Sequence, residues 1–264
     1  MKLKSIEERV YNLPQYYDIA FSYDISQEIE LFRKLFKRYV PFEVKNILEP
    51  ACGTGRFLVS LPEYDYHVTG YDNNSKMVAY AKKRITDARF QDRATEIVAD
   101  MKSARFKTKF DVAINSINSL GYLLSDDDII THFCNTGDSL KSEGIYIVHL
   151  GCALDKLKPN KDEGWTIERD GIRVKAIWDV EKEDKRRMLS YQVCKMEIDD
   201  HGKHYVLEDH HTLRFWLYED LKSLIRKSGK FRLEAIYDEK HEQIPLNTQI
   251  SGELGNLYFV LKVL

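Results

Sequence analysis

The residues best suited to chemistry sit together in Asn46-Ile-Leu-Glu-Pro-Ala-Cys-Gly-Thr-Gly-Arg56, after a short apolar run and at the head of an amphipathic one. Gly53 and Gly55 let the backbone turn tightly and approach a ligand with no Cβ in the way. A dinucleotide fingerprint, G-x-G-x-x-G, adds a third glycine and sets a helix N-terminus against a pyrophosphate. Here the third place is Leu58. Glu49 stands four residues before Gly53, where the preceding strand should end. A carboxylate there repels a pyrophosphate but attracts a ligand carrying an ammonium and a sulfonium. The charge pattern therefore favours S-adenosylmethionine over a nicotinamide dinucleotide. Asp72 follows Gly53 by 19 residues, close to the interval of about 20 at which an acid accepts hydrogen bonds from ribose hydroxyls.

Such groups need a scaffold that brings strand ends together. From Val44 onward, short apolar runs alternate with amphipathic helices. Strands are expected at Val44–Leu48, His67–Tyr71, Thr95–Val98, Phe110–Asn115 and Gly144–Leu150, and helices at Arg56–Leu61, Ser75–Ile85 and Asp126–Leu140. This alternation implies parallel strands with crossover helices, a doubly wound α/β sheet. From about 164 to 216 the pattern changes to long strands rich in aromatic and β-branched residues, joined by turn-like EKEDKR and DDHGK, which reads as an inserted antiparallel meander. A helix at Tyr218–Ser228, a glycine stop at Gly229 and strands at Phe231–Tyr237 and Leu257–Val263 return the chain to the core. Residues from about 5 to 40 read as helical with a break at Pro14, the second part carrying Ile29, Phe32, Leu35 and Phe36 on one face. The expected organisation is a helical cap (1–43), a cofactor-binding core (44–152), a β insertion (153–216) acting as substrate lid or dimer interface, and a closing helix with two strands (217–264).

Through E-P-A-C-G-T-G-R and the segments that follow it, the sequence resembles the class I S-adenosylmethionine-dependent methyltransferases. The resemblance implies a Rossmann-like, seven-stranded, mostly parallel sheet with the meander inserted. It places Glu49, Ala51, Cys52, Gly53, Gly55 and Arg56 in the cofactor loop and Asp72 on the ribose, with Asn73 and Met77 along the adenosine. Asp100 and Met101 of Ala-Asp-Met would meet the adenine, and Asn115 would face the transferable methyl group. Within the superfamily the chain looks most like small-molecule N-methyltransferases of the sugar N,N-dimethyltransferase and glycine/sarcosine type. That likeness rests on Tyr16-Tyr-Asp-Ile-Ala-Phe-Ser-Tyr-Asp24, on Asn118-Ser-Leu-Gly-Tyr122, and on a β insertion followed by His210-His-Thr-Leu-Arg-Phe-Trp216. The sequence departs from the family at His149, where an aspartate is usual, and at Leu-Glu-Pro, where Leu-Glu-Leu or Leu-Asp-Leu is usual.

Methyl transfer to a neutral amine needs chiefly positioning; a hydroxyl or an ammonium also needs a base. His149, Tyr17 and Asn115 are the candidate catalytic residues, and Tyr23, Asn118, Tyr122 and His211 the candidate acceptor contacts. His210 and His211 occupy consecutive strand positions, so one of them faces inward. Trp165, Trp178 and Trp216 read as packing anchors of the meander. The acceptor is expected to be a small amine or hydroxyl compound. A non-catalytic cofactor-binding module of the same fold is the competing reading. A nicotinamide oxidoreductase is disfavoured by Leu58 and Glu49.

Bulk properties narrow the classes. A formal net charge of −2 over 264 residues offers no overall field for phosphate backbones, so no nucleic-acid partner is expected. The Asn-Ser-Ile-Asn after the fourth strand also differs from the Asp/Asn-Pro-Pro-aromatic clamp of base-methylating enzymes. Cys52, Cys134, Cys152 and Cys194 are too scattered for a zinc site or a disulfide framework, so no metal is expected. The charged N-terminus and the lack of an 18-residue apolar run point to a cytoplasmic protein away from membranes. A homodimer through the insertion is also expected.

Overall fold

The computed structural model describes residues 4–21, 23–153, 164–246 and 253–264. Ser22 of the tyrosine-bearing segment, residues 154–163 at the head of the expected insertion, and the side chain of Cys152 lie outside the described residues. In chain order the elements are β1 (Lys4–Ile6), α1 (Pro14–Ala20), α2 (Ser26–Tyr39), β2 (Asn46–Pro50), α3 (Arg56–Ser60), β3 (His67–Asp72), α4 (Ser75–Asp87), β4 (Ala94–Val98), β5 (Phe110–Asn115), α5 (Asp126–Ser139), β6 (Leu140–Ala153), β7 (Trp165–Arg169), β8 (Ile172–Asp184), β9 (Leu189–Asp200), β10 (Lys203–Arg214), α6 (Tyr218–Ser228), β11 (Phe231–Tyr237), β12 (Gln243–Ile244) and β13 (Glu253–Val263). Short 3₁₀ turns occur at Val10–Asn12, Leu61–Tyr64 and Ser119–Tyr122.

Among the described residues these strands form two sheets. The larger has the order β12-β11-β13-β6-β5-β2-β3-β4. Strands β6, β5, β2, β3 and β4 run parallel, and β13 is antiparallel between β6 and β11. This is the expected Rossmann-like sheet with eight strands in place of seven. The added strand, β12, is two residues at the edge, too short to leave a periodic signal in sequence. Strand β5 is buried along its whole length, as a central parallel strand covered on both faces must be. One face packs on α2 through Ile29, Phe32, Leu35 and Phe36. The other packs on α5 and α6 through Ile129, Phe133, Leu221 and Leu224.

The smaller sheet has the order β1-β10-β9-β8-β7. Its antiparallel part is the expected meander. Strand β1, in a stretch expected to be helical, adds to it in parallel, with Lys4 opposite Tyr205 and Ile6 opposite Leu207. Three residues alternate too briefly to read as a strand; the partner sheet supplies their conformation. Pro14 begins a helix instead of breaking one, since at the first helical position its missing N–H costs nothing. Helix α1 packs Tyr16, Ile19 and Ala20 against Val174, Ala176, Met196 and Leu207 of the smaller sheet. Its Asp18, 3 % exposed, pairs with Arg84 of α4 at 2.7 Å and Arg169 of β7 at 2.5 Å. The carboxylate thereby ties the meander to the larger sheet.

Gly70 marks the tightest approach behind the glycine loop. A Cβ there would lie 2.7 Å from Cys52 Cβ and 2.9 Å from Leu58 Cδ1. Gly70→Ala is expected to cost about 1–3 kcal/mol of stability, as overpacking in a closed core does, seen as a lower denaturation midpoint in urea. An unchanged midpoint would mean the loop yields freely.

Candidate active site

The chain leaves β2 through three left-handed residues, Ala51, Gly53 and Gly55, with φ of +57°, +53° and +76°. A Cβ on Gly55 would meet Ala81 Cβ of α4 at 2.9 Å, whereas one on Gly53 would meet nothing within 4 Å. Gly55 is therefore required by packing, while Gly53 leaves open space beside the loop. The turn is held by Cys52 N–H donating to Tyr71 O at 3.0 Å and Gly55 N–H donating to Cys52 O at 2.9 Å. Asp72, at the end of β3, accepts Gly53 N–H at 3.0 Å on Oδ2 and Asn74 N–H at 2.9 Å on Oδ1. Burial raises its carboxyl above the usual range, against the pull of those donors.

Beside this loop lies a cavity of about 410 Å³ whose walls include Ala51, Gly53, Asp72, Asn73, Met77, Asp100 and Met101. These seven come from three separate strand ends and were all expected at the cofactor. Cys52 and Gly55 do not line it. Cys52 fills the space left by Gly70, and burial pushes its thiol well up. Glu49, Arg56 and Asn115, also expected at the cofactor, are not among the residues lining it. Glu49 is 4 % exposed, and its Oε2 has no hydrogen-bond partner among the described residues. Burial lifts its carboxyl to about 8, against the opposing charge of Arg56. Asn115 donates Nδ2 to Pro50 O at 2.9 Å, leaving Oδ1 buried without a donor. Two orphaned acceptors next to a ribose-type acid and a glycine turn suit a cationic nucleoside.

A second cavity, about 470 Å³, shares Tyr11, Tyr17, Ile117 and Tyr122 with the first. Asn118, Gly151, Trp178, Gln192, Leu213 and Trp216 form much of the rest. Of the expected acceptor contacts, Asn118 and Tyr122 line it. Tyr23 lies outside both cavities, 48 % exposed, with Arg56 over its ring at 4.5 Å. His211 faces inward behind Tyr122, Nδ1 lying 3.3 Å from the phenolic oxygen. His210 faces solvent, 3.0 Å from Glu181 and 3.2 Å from Glu208. His149 lines neither cavity. Its ring lies flat on Tyr258 at 4.1 Å and 11°, with Nδ1 3.6 Å from Glu28 Oε1. Burial, then Arg56, takes the imidazole down to about 4, so it is neutral at pH 7.

Sequence reasoning passed over Glu28, Tyr11, Trp178 and Asp209. Glu28 accepts Ser116 Oγ at 3.0 Å. Tyr11 shares a 2.5 Å hydrogen bond with Tyr122. Trp178, expected only as an anchor, is a cavity wall that stacks on His211 at 4.7 Å. Asp209 was detectable, because strand alternation puts it on the face of His211. Tyr11 sits in a three-residue turn and gave no such signal.

Residues 47–144 match the model of a methyltransferase domain. YqeM of Bacillus subtilis, named as a methyltransferase, is 30 % identical over 124 residues, 45 % of this chain and 48 % of that protein. The dTDP-3-amino-3,4,6-trideoxy-alpha-D-glucopyranose N,N-dimethyltransferase of Streptomyces venezuelae is 26 % identical over 139 residues, 51 % of this chain and 54 % of that one. The matches thus span about half the length of these relatives. The crystal structure of an S-adenosylmethionine-dependent methyltransferase from Clostridium acetobutylicum superposes with a TM-score of 0.75 at 17 % identity, covering 95 % of this chain and 97 % of that one. The match to the methyltransferase domain thus lies on the segment that carries the glycine loop, Asp72 and Asn115, and the superposition shows the fold that the loop and acid motifs imply.

The Glu49 environment sets a pH test. With its carboxyl near 8, the empty protein holds a proton at pH 7 that a bound cation would expel. Cofactor binding is expected to release protons at pH 7 and to tighten as pH rises toward about 8. The same shift, raised from 4.5, makes the empty protein lose stability as pH climbs through that window. Calorimetry in buffers of different ionisation enthalpy reads the released proton, and Glu49→Gln should abolish it. Proton uptake on binding would refute this assignment.

Proposed function

We propose that the chain transfers a methyl group from S-adenosylmethionine to the amine of a small acceptor, an amino sugar being the leading class. The observation that carries this reading is the shared wall: Tyr11, Tyr17, Ile117 and Tyr122 belong to both the cofactor-side cavity and its neighbour. A ligand in each would meet there. The partial relation to an amino-sugar dimethyltransferase supports the choice of amine over hydroxyl.

When bound, S-adenosylmethionine supplies an electrophilic methyl group on a sulfonium. Asp72 is the ribose acceptor in this reading, and Asp100 and Met101 border the adenine. Glu49 Oε2 and Asn115 Oδ1, buried acceptors without a donor just beyond the lining residues, would meet the ammonium of the methionine portion if the loop yields toward them on binding. The faces of Tyr17 and Tyr122 attract positive charge and orient the acceptor, so that effective molarity supplies much of the rate. His149 lines neither cavity, is neutral, and lies with its ring on Tyr258; it is not the base in this reading.

Titration calorimetry with S-adenosylmethionine, S-adenosylhomocysteine and NAD tests the cofactor. Both sulfur nucleosides should bind, NAD should not, and Asp72→Ala should weaken binding by about tenfold to a hundredfold, the worth of a charge-assisted hydrogen bond. Tritiated methyl transfer to the dTDP-linked 3-amino sugar, glycine and sarcosine then tests the acceptor. Binding without transfer to any amine would favour a non-catalytic module; no binding by folded protein would end the reading.

A further inference from the structure

An aliphatic amine is almost wholly protonated at pH 7, since an alkylammonium has a pKa near that of lysine, about 10.4. An ammonium has no lone pair, so an enzyme that methylates one must first take a proton from it. The shared wall holds a route for that proton. Tyr11 and Tyr122 meet through their hydroxyls at 2.5 Å. Behind Tyr122 stands His211, 3 % exposed, with Nδ1 3.3 Å from the phenolic oxygen. Its Nε2 lies 3.3 Å from Asp209 Oδ2. Asp209 is itself fixed, accepting Val10 N–H at 2.9 Å on that same oxygen. The imidazole is held between Trp178, stacked at 4.7 Å, and Tyr11, edge-on at 5.5 Å. Both rings fix its tilt without competing for its nitrogens.

We infer that Tyr122, His211 and Asp209 form a proton relay opening at the seam between the two cavities, so that the acceptor enters as an ammonium and is deprotonated there. The inference rests on the methyl-transfer reading. In the step, the acceptor N–H proton passes to Tyr122 Oη while the phenolic proton passes to His211 Nδ1. The N–H bonding pair stays on the acceptor nitrogen as the nucleophilic lone pair. Tyr122 remains neutral throughout, as its burial demands. The imidazolium formed faces the Asp209 carboxylate, and after product leaves the proton returns to solvent by the reverse path. Burial holds the His211 imidazole below its ordinary range and so opposes its charge; Asp209 favours that charge, while Arg9 and His210 add to the opposition. Tyr11, Tyr17 and Cys194 surround Tyr122 and remain neutral. Tyr122 is the residue in reach of the acceptor, and His211 and Asp209 act through it.

The full chain, labelled with ¹⁵N-histidine and saturated with S-adenosylhomocysteine, gives a readout that needs no acceptor. The relay requires His211 neutral at pH 7 with its hydrogen on Nε2. The Nδ1 resonance should move in Tyr122→Phe and the Nε2 resonance in Asp209→Asn. A hydrogen on Nδ1, or an imidazolium at pH 7, would overturn the proposal, because neither can accept from Tyr122. The second readout uses whichever amine of the panel above the wild type methylates. His211→Gln and Tyr122→Phe should lower kcat by roughly 10²–10⁴-fold at pH 7, with KM little changed. Raising the pH, or substituting a weakly basic alkoxyamine, should restore much of the rate, since neutral amine is then supplied from solvent. A loss that is the same at every pH would also overturn the relay. No transfer by the wild type to any amine would instead count against methyl transfer itself, and with it the relay. Retained S-adenosylhomocysteine binding identifies variants that have folded.

Discussion

The carboxylate of Asp72 accepts Gly53 N–H from one loop and Asn74 N–H from the next, closing the end of β2 onto the end of β3. The other features of the cofactor side depend on that clamp. Of the three left-handed residues after β2, Gly53 and Gly55 take that conformation freely, Ala51 is the strained one, and Asp72 fixes the turn through Gly53 N–H. Gly70, two residues before Asp72 on β3, has no Cβ so that Cys52 can sit beneath the loop. Asn74, positioned by the same carboxylate, caps α4 by accepting the N–H groups of Lys76 and Met77. A single acid therefore sets the loop, the helix start and the wall of the cavity.

The second cavity is built largely from material foreign to the parallel sheet. Tyr11 comes from a 3₁₀ turn, Tyr17 from α1, Trp178 from β8 and His211 from β10. What aligns them is a set of long-range polar ties: Val10 to Asp209, Asn74 to Asn12, and Asp18 to both Arg84 and Arg169. Buried charge pairs contribute little net stability but are costly to break from one side. Their evident effect here is to fix the orientation of one sheet against the other, so that two cavities share a wall.

The parallel sheet and its glycine loop were readable because both obey short-range rules. Strand–helix alternation forces a doubly wound sheet, and such sheets gather their ligand groups at carboxyl strand ends, which is where Glu49, Asp72 and Asn115 lie. The residues that escaped reading depend on partners far along the chain. Glu28 reads as a polar position on an exposed helix, yet Ser116 and Tyr258 bury it. His149 ends a parallel strand as an active-site residue would, but its antiparallel neighbour β13 sets Tyr258 opposite and covers its ring. Strand β1 is three residues whose conformation belongs to β10. Long-range pairing of this kind leaves no local period to detect.

That pairing has a consequence for how the molecule is made. Lys4 pairs with Tyr205, and Val10 is anchored by Asp209, so the first strand emerges from the ribosome about 200 residues ahead of its partner. At roughly 5–20 residues per second it waits on the order of 10–40 s with its edge unpaired. The five parallel strands β2–β6 are all synthesised in that interval, whereas Tyr11 and Tyr17 cannot take their places until β10 has been synthesised. The stitching of the chain's beginning to its middle therefore waits on β10, and the larger sheet is completed later still, when β11 and β13 emerge to pair with each other and with β6.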